Sequence, residues 1–130
     1  MTGITNGTGH INNKTTYIVK NGSIQDGFFL VCGNGQSILT FDGILGNYIR
    51  LNSDSDIYFN LNTDNYKALV VEYETSGTGI TCICDGFTLF TAGSVGAFYT
   101  TENTREVSGV GTFSLSVPDE HAKIYNIYLI

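Results

Sequence analysis

The chain has 130 residues and a formal net charge of −6, from 12 acids against 6 bases. That balance argues against nucleic acid as a partner, since such binding runs on Lys and Arg neutralising phosphates, and against an anionic membrane surface for the same reason. The length fits one domain with a core of its own, and 8 Tyr, 8 Phe, 16 Gly and a single Met favour strands and tight turns over helices.

Residues 1–14 open the chain and differ from the rest. Thr2 to Asn13 is rich in Gly, Thr and Asn with little to bury, so it reads as an N-terminal arm ahead of a single domain over 15–130. Thr2, Ile4, Asn6, His10 and Ile11 are the arm residues expected to engage a partner. The start has neither a basic nor an apolar leader region, so no signal peptide is expected. The triplets Asn6-Gly7-Thr8, Asn13-Lys14-Thr15 and Asn21-Gly22-Ser23 then read as accidents of composition rather than glycosylation sites.

Strands are expected near 15–20, 27–32, 36–41, 47–52, 56–61, 66–75, 79–84, 87–91, 96–101, 111–117 and 123–130. Turn dipeptides that tolerate positive φ punctuate them: Asn21-Gly22, Asp26-Gly27, Asn34-Gly35, Asp42-Gly43 and Asp85-Gly86. Ile57, Phe59 and Leu61 alternate with Tyr58 and Asn60, and Phe113, Leu115 and Val117 alternate with Thr112, Ser114 and Ser116. A period of two with one apolar face means a strand lying on a core with its other face wet. Tyr66 to Tyr73 and Ile124 to Ile130 are apolar on both faces, which predicts central strands or a second contact surface. Pro118 should end the strand before it. No stretch keeps a helical period. The pattern is that of an all-β, two-sheet antiparallel β-sandwich of the jelly-roll kind. No apolar run approaches the length of a membrane span, so no membrane insertion is expected.

Catalytic chemistry is hard to find. The only imidazoles are His10 and His121, and Cys32, Cys82 and Cys84 sit in apolar runs, where burial raises a thiol pKa rather than lowering it. Cys82 and Cys84 are two apart on one strand, so they share a face without bridging. Three buried, reduced thiols are expected, in keeping with synthesis in a cytoplasm. Glu72 and Glu74 share a strand face and read as solvated carboxylates. The Gly-x-Gly triplets lack a following helix to make them phosphate sites. No catalytic residue is assigned, and the chain reads as a non-enzyme.

Two binding signals remain. Asn52-Ser53-Asp54-Ser55-Asp56 places two carboxylates and an amide in one loop, making Asp54 and Asp56 the candidate ligands of a structural calcium, the one cofactor the sequence leaves room for. An Asx-rich turn is the plainer reading of the same loop. Sugar binding on a sandwich needs exposed rings beside polar groups. Tyr48, Tyr58 and Tyr99 are the principal candidates, with Tyr17 and Tyr128 beside them. The competing reading is that these rings fill core edges and cross-strand pairs.

Leu61 to Tyr73 runs as a polar lead-in, a Tyr66-Lys67 hinge and a buried strand, followed later by Gly111 to Val117 and Lys123 to Leu129. This order resembles the small jelly-roll, galactose-binding-like modules of phage tail, fibre and accessory virion proteins, over roughly 45–130. The resemblance implies a non-enzymatic structural or decorating subunit of a phage-like particle, made in the host bacterial cytoplasm and resident in the virion. Its expected partners are further copies of itself and other virion proteins. The alternative is a carbohydrate- or host-receptor-binding module whose partner is a cell-surface glycan.

Overall fold

The computed structural model describes residues 15–93, 98–102 and 109–130, the 98–102 strand through its backbone. The expected partner arm, with Thr2, Ile4, Asn6, His10 and Ile11, lies outside the described residues.

Among the described residues twelve strands follow one another: β1 (Thr16–Lys20), β2 (Ser23–Ile24), β3 (Val31–Cys32), β4 (Thr40–Gly43), β5 (Gly46–Asn52), β6 (Ile57–Asn62), β7 (Leu69–Thr75), β8 (Gly79–Cys84), β9 (Phe87–Gly93), β10 (Phe98–Glu102), β11 (Val110–Ser116) and β12 (His121–Leu129). Every ladder is antiparallel. A five-stranded sheet runs β3-β6-β11-β8-β9. A seven-stranded sheet runs β10-β7-β12-β1-β2, and β5, carrying β4 on its far side, also pairs with β12. One edge of β12 follows β7; the other is shared, with His121–Ile124 against β5 and Ile127–Leu129 against β1. The all-β sandwich expected from the sequence is the fold observed.

The core lies between the sheets. Ile57, Phe59, Leu61, Phe113 and Leu115 face Leu69, Val71, Tyr73, Ile124 and Ile127 across it, with Cys82 and Cys84 among them. Phe59 and Phe113, directly opposed in the β6–β11 register, stack at 5.8 Å and 13°. The two runs that are apolar on both faces became β7 and β12, which have a neighbour on each side. Cys82 and Cys84 are buried free thiols and Cys32 is a half-buried one.

The main differences from the expected strands fall between 25 and 41. Only Val31–Cys32 and Thr40–Gly43 pair there. Phe28, Leu30 and Ile38 still pack on the core while Phe29 is 81% exposed. The alternation is that of a strand, but turns at Gly27 and Gly35 (φ 88° and 78°) break the segment before it finds a long ladder. The short β2 is the other addition, closing a hairpin on Asn21-Gly22, both at positive φ (48° and 74°). That is the geometry of a two-residue hairpin turn.

This turn wedges into the fork where β1 and β5 part along β12. Gly22 N donates to Tyr125 O at 2.9 Å, and the Asn21 carboxamide oxygen accepts from Asn47 N at 2.9 Å. A Cβ on Gly22 would lie 2.8 Å from Tyr48 N, so only glycine fits there. Opposite the wedge, the β12–β7 ladder slips between Ile124 and Asn126, leaving Tyr125 as the extra residue of a bulge.

Candidate functional site: the outer face of the seven-stranded sheet

Side chains alternate along a strand, so core residues Val71, Tyr73, Ile124, Ile127 and Leu129 put Glu72, Glu74, Lys123, Asn126 and Tyr128 on the opposite, outer face. The bulge sends both Tyr125 and Asn126 to that face, which an unbroken strand cannot do. Asn126 is clamped there. Its amide nitrogen donates to Glu72 Oε1 at 2.7 Å and its carbonyl oxygen accepts from Asn21 N at 2.8 Å. Tyr125 donates its hydroxyl to Glu74 Oε1 at 2.9 Å. Tyr128 donates to Glu72 Oε2 at 3.4 Å. Burial, then the Glu74 hydrogen bond and charge, push the Tyr125 phenol up to about 12.

Rings flank this polar centre on both sides. Tyr17 pairs with Tyr128 in the β1–β12 register and meets it at 4.9 Å between ring centroids, with the Lys20 ammonium 5.1 Å over Tyr17. At the other end Phe41 and Tyr48, opposed in the β4–β5 register, stack at 5.9 Å and 29°. Tyr48 meets Tyr125 edge-on at 5.8 Å, with Lys123 Nζ 5.2 Å over its ring. Lys123 Nζ also lies 3.7 Å from Glu74 Oε1. Glu72 and Glu74 are therefore half-buried acceptors held by tyrosine, asparagine and lysine, not the freely solvated pair expected. The signal missed was the adjacency of Tyr125 and Asn126, which makes sense only once the bulge is known.

The principal tyrosine candidates are not brought together. Tyr48 belongs to this face. Tyr58 is 39% exposed, as its alternation predicts, but stands on the outer face of the five-stranded sheet, on the far side of the sandwich. Its hydroxyl donates to Asp56 Oδ2 at 3.2 Å, and the Asp56 charge and that bond raise its pKa. Around it the outer face carries the small polar residues Asn60, Thr112 and Ser114 and, directly across the β3–β6 ladder, the exposed Val31. The Tyr99 backbone is registered opposite Tyr73 in β10–β7. Tyr17 and Tyr128, the secondary candidates, form one of the ring pairs.

Asp54 and Asp56 stand in a tight turn between β5 and β6. Asp54 is exposed, the Asp56 carboxylate is engaged by Tyr58, and the loop is a turn closed by Ser55 N on Asn52 O at 3.1 Å. Among the described residues, no group of three or more His, Cys, Asp or Glu side chains converges on a point a metal ion could occupy.

At the β5 end of the face a cleft of about 150 Å³ is lined by Glu74, Thr75, Ser76, His121 and Lys123. Thr75 donates its hydroxyl to His121 O at 2.7 Å. Burial, then the charges of Arg50 and Lys123, lower the His121 pKa, while Glu120 and Glu74 pull it the other way. A second cavity of about 100 Å³ lies where the residue 33–39 segment closes the sandwich, lined by Cys32, Gln36, Phe41, Arg50 and Ser55 among others.

No protein-family model and no curated protein matches the chain. Solved structures match its shape. The CBM36-1 domain of a multidomain xylanase from the hindgut metagenome of Trinervitermes trinervoides superposes with a TM-score of 0.60 at 16% identity, over 90% of this chain and 97% of that one. A CBM29-2 variant complexed with mannohexaose gives a TM-score of 0.64 at 10% identity, over 92% of each chain. The fold is the jelly-roll sandwich these carbohydrate-binding modules share. The carbohydrate-binding module CBM36 in complex with calcium and xylotriose also matches, with a TM-score of 0.54 at 14% identity, over 78% of this chain and 99% of that one. These neighbours lend the virion resemblance no support.

Proposed function

We propose that this chain is a non-catalytic carbohydrate-binding module whose site is the outer face of the seven-stranded sheet. One observation carries the reading. That face sets two ring pairs, Tyr17–Tyr128 and Phe41–Tyr48, on either side of a hydrogen-bonded centre made by Glu72, Asn126 and Tyr128. Sugars offer apolar C–H faces to rings and hydroxyl edges to polar groups, and a ligand site of this kind combines rings with a few fixed polar atoms. The Asn126 clamp supplies the fixing. From Lys123 to Tyr128 along β12 the face spans about 15 Å at strand rise, room for several sugar units rather than one.

The fold neighbours support the same reading, since module structures with mannohexaose and xylotriose share this architecture. Binding without a catalytic step fits the thiols as well. Burial raises the pKa of Cys32, Cys82 and Cys84, the reverse of what a nucleophile needs. A virion subunit rests on the sequence resemblance alone, and no feature of the described fold favours it over a glycan-binding module. Calorimetric titration with manno- and xylo-oligosaccharides tests the proposal. Binding that weakens about tenfold in Tyr128→Ala is expected, since stacking on one ring contributes on the order of 1–2 kcal/mol. Absence of binding to both series would end it.

A further inference from the structure

Basic residues are scarce in this chain, 6 against 12 acids, yet they are not scattered. Of the described ones, Lys20, Arg50 and Lys123 stand on the outer face of the seven-stranded sheet, and Lys67 lies elsewhere. Arg50 and Lys123 are directly opposed in the β5–β12 register, and His121 lies two residues before Lys123 on the same face. Like charges directly opposed across a ladder repel. Lys123 has a carboxylate, Glu74, opposite it across the β12–β7 ladder, whereas Arg50 faces Lys123 across β5–β12. Arg50 Nε donates instead to a neutral partner, Asn52 Oδ1, at 2.9 Å. That contact steadies the guanidinium at one nitrogen and leaves its other N–H donors for a planar anion. Among the described residues the single ion pair is Lys123 with Glu74, long at 3.7 Å. His121 and Lys123 line the cleft of about 150 Å³ together with Glu74, Thr75 and Ser76, and Arg50, on the far side of Lys123, lines the second cavity.

The geometry points to an anionic-sugar subsite at this end of the face, in which Arg50, Lys123 and His121 take the acidic group of a glycan whose neutral units lie along the rings. This rests on the proposed glycan-binding role of the face and names its substrate class: an acidic oligosaccharide bearing a uronic-acid carboxylate or a sulfate ester. Repulsion between Arg50 and Lys123, unfavourable in the free protein, becomes attraction for the ligand when an anion sits between them. His121, held below its ordinary pKa by burial and by these two cations against the opposing pull of Glu74 and Glu120, then gains a proton more readily, so the acidic ligand binds more tightly as pH falls toward the histidine range.

The experiment titrates wild type, Arg50→Gln and Arg50→Lys with xylo- and manno-oligosaccharides in three forms: bare, uronic-acid-bearing and sulfate-bearing. Arg50 is exposed, so the variants keep the fold. Wild type should prefer one acidic form over the bare chain by about tenfold or more at low salt, as expected of a charge-assisted contact. High salt and Arg50→Gln should both remove the preference, Arg50→Lys should keep part of it, and the affinity of the bare chain should be the same in all three proteins. Which acidic form is preferred tells carboxylate from sulfate. A bare chain bound as well as its acidic forms would overturn the subsite while leaving the binding face standing. No binding of any form would overturn both.

Discussion

Replacing Asn126 by alanine removes the clamp that fixes the bulge and the polar centre in one step. The side chain makes two hydrogen bonds, donating to Glu72 Oε1 at 2.7 Å and accepting from Asn21 N at 2.8 Å. The first is charge-assisted and the second neutral. At a half-buried position their combined net contribution is about 2 kcal/mol, the low end of the usual sum. For a chain of this length that lowers Tm by about 8 °C. Urea unfolding followed by far-UV circular dichroism should show an earlier midpoint with the m-value unchanged, because the surface exposed on unfolding stays the same. Pairing the change with Glu72→Ala should give a coupling of about 1 kcal/mol, since both remove the same contact. A loss below about 0.5 kcal/mol would refute the reasoning, for it would mean that water replaces both bonds at no cost and that the bulge is held by something else.

Phe113→Ala should lower the unfolding free energy by about 3–5 kcal/mol, read from the same urea curves, because its ring is fully buried and stacked on Phe59. The Cys82 thiol is pushed up to about 12, by burial first and the neighbouring Cys84 second; it should resist alkylation at pH 8 in the native protein and react once the chain is unfolded. A raised folded-state pKa means the folded protein holds its proton longer than the unfolded one. Stability should therefore be complete below about pH 9 and decline as pH climbs toward 12, with Tyr125, also near 12, acting in the same direction. Proton-detected titration of His121 should give a value below the ordinary histidine range, and Arg50→Gln should raise it by removing one of the cations that depress it. An unmoved His121 would show that the Arg50 charge does not reach the cleft.

The strands were largely legible because their patterns are local. The Ile57-Phe59-Leu61 and Phe113-Leu115-Val117 alternations fix which face of β6 and β11 is buried, and the two doubly apolar runs announced β7 and β12 as interior strands. The site was only half legible. Exposure of Tyr58 follows from its own strand, but whether two tyrosines share a face depends on pairing between distant parts of the chain. Tyr17 and Tyr128 meet because β1 lies along β12, and nothing near either residue says so. Phe41, which nothing in its own segment marks as a site residue, is 41% exposed beside Tyr48. Glu72 and Glu74 read as solvated because the partners that hold them, Tyr125 and Asn126, reach them only through a bulge opposite an Asn21-Gly22 turn. In the Asp54–Asp56 loop the turn closed by Ser55 N on Asn52 O and the Asp56 contact to Tyr58 were equally out of reach of the sequence, since the Tyr58 side chain meets Asp56 only once β6 is laid down.

Chemical-shift mapping of the isotope-labelled protein with mannohexaose and xylotriose tests the central claim most directly, because each face of the sandwich reports separately. The account predicts concentration-dependent shifts at Tyr17, Tyr48, Asn126 and Tyr128 on the outer face of the seven-stranded sheet, with Tyr58 and Ser114 on the opposite sheet unmoved. Shifts confined to Tyr58 and its neighbours, or none with either sugar, would contradict it.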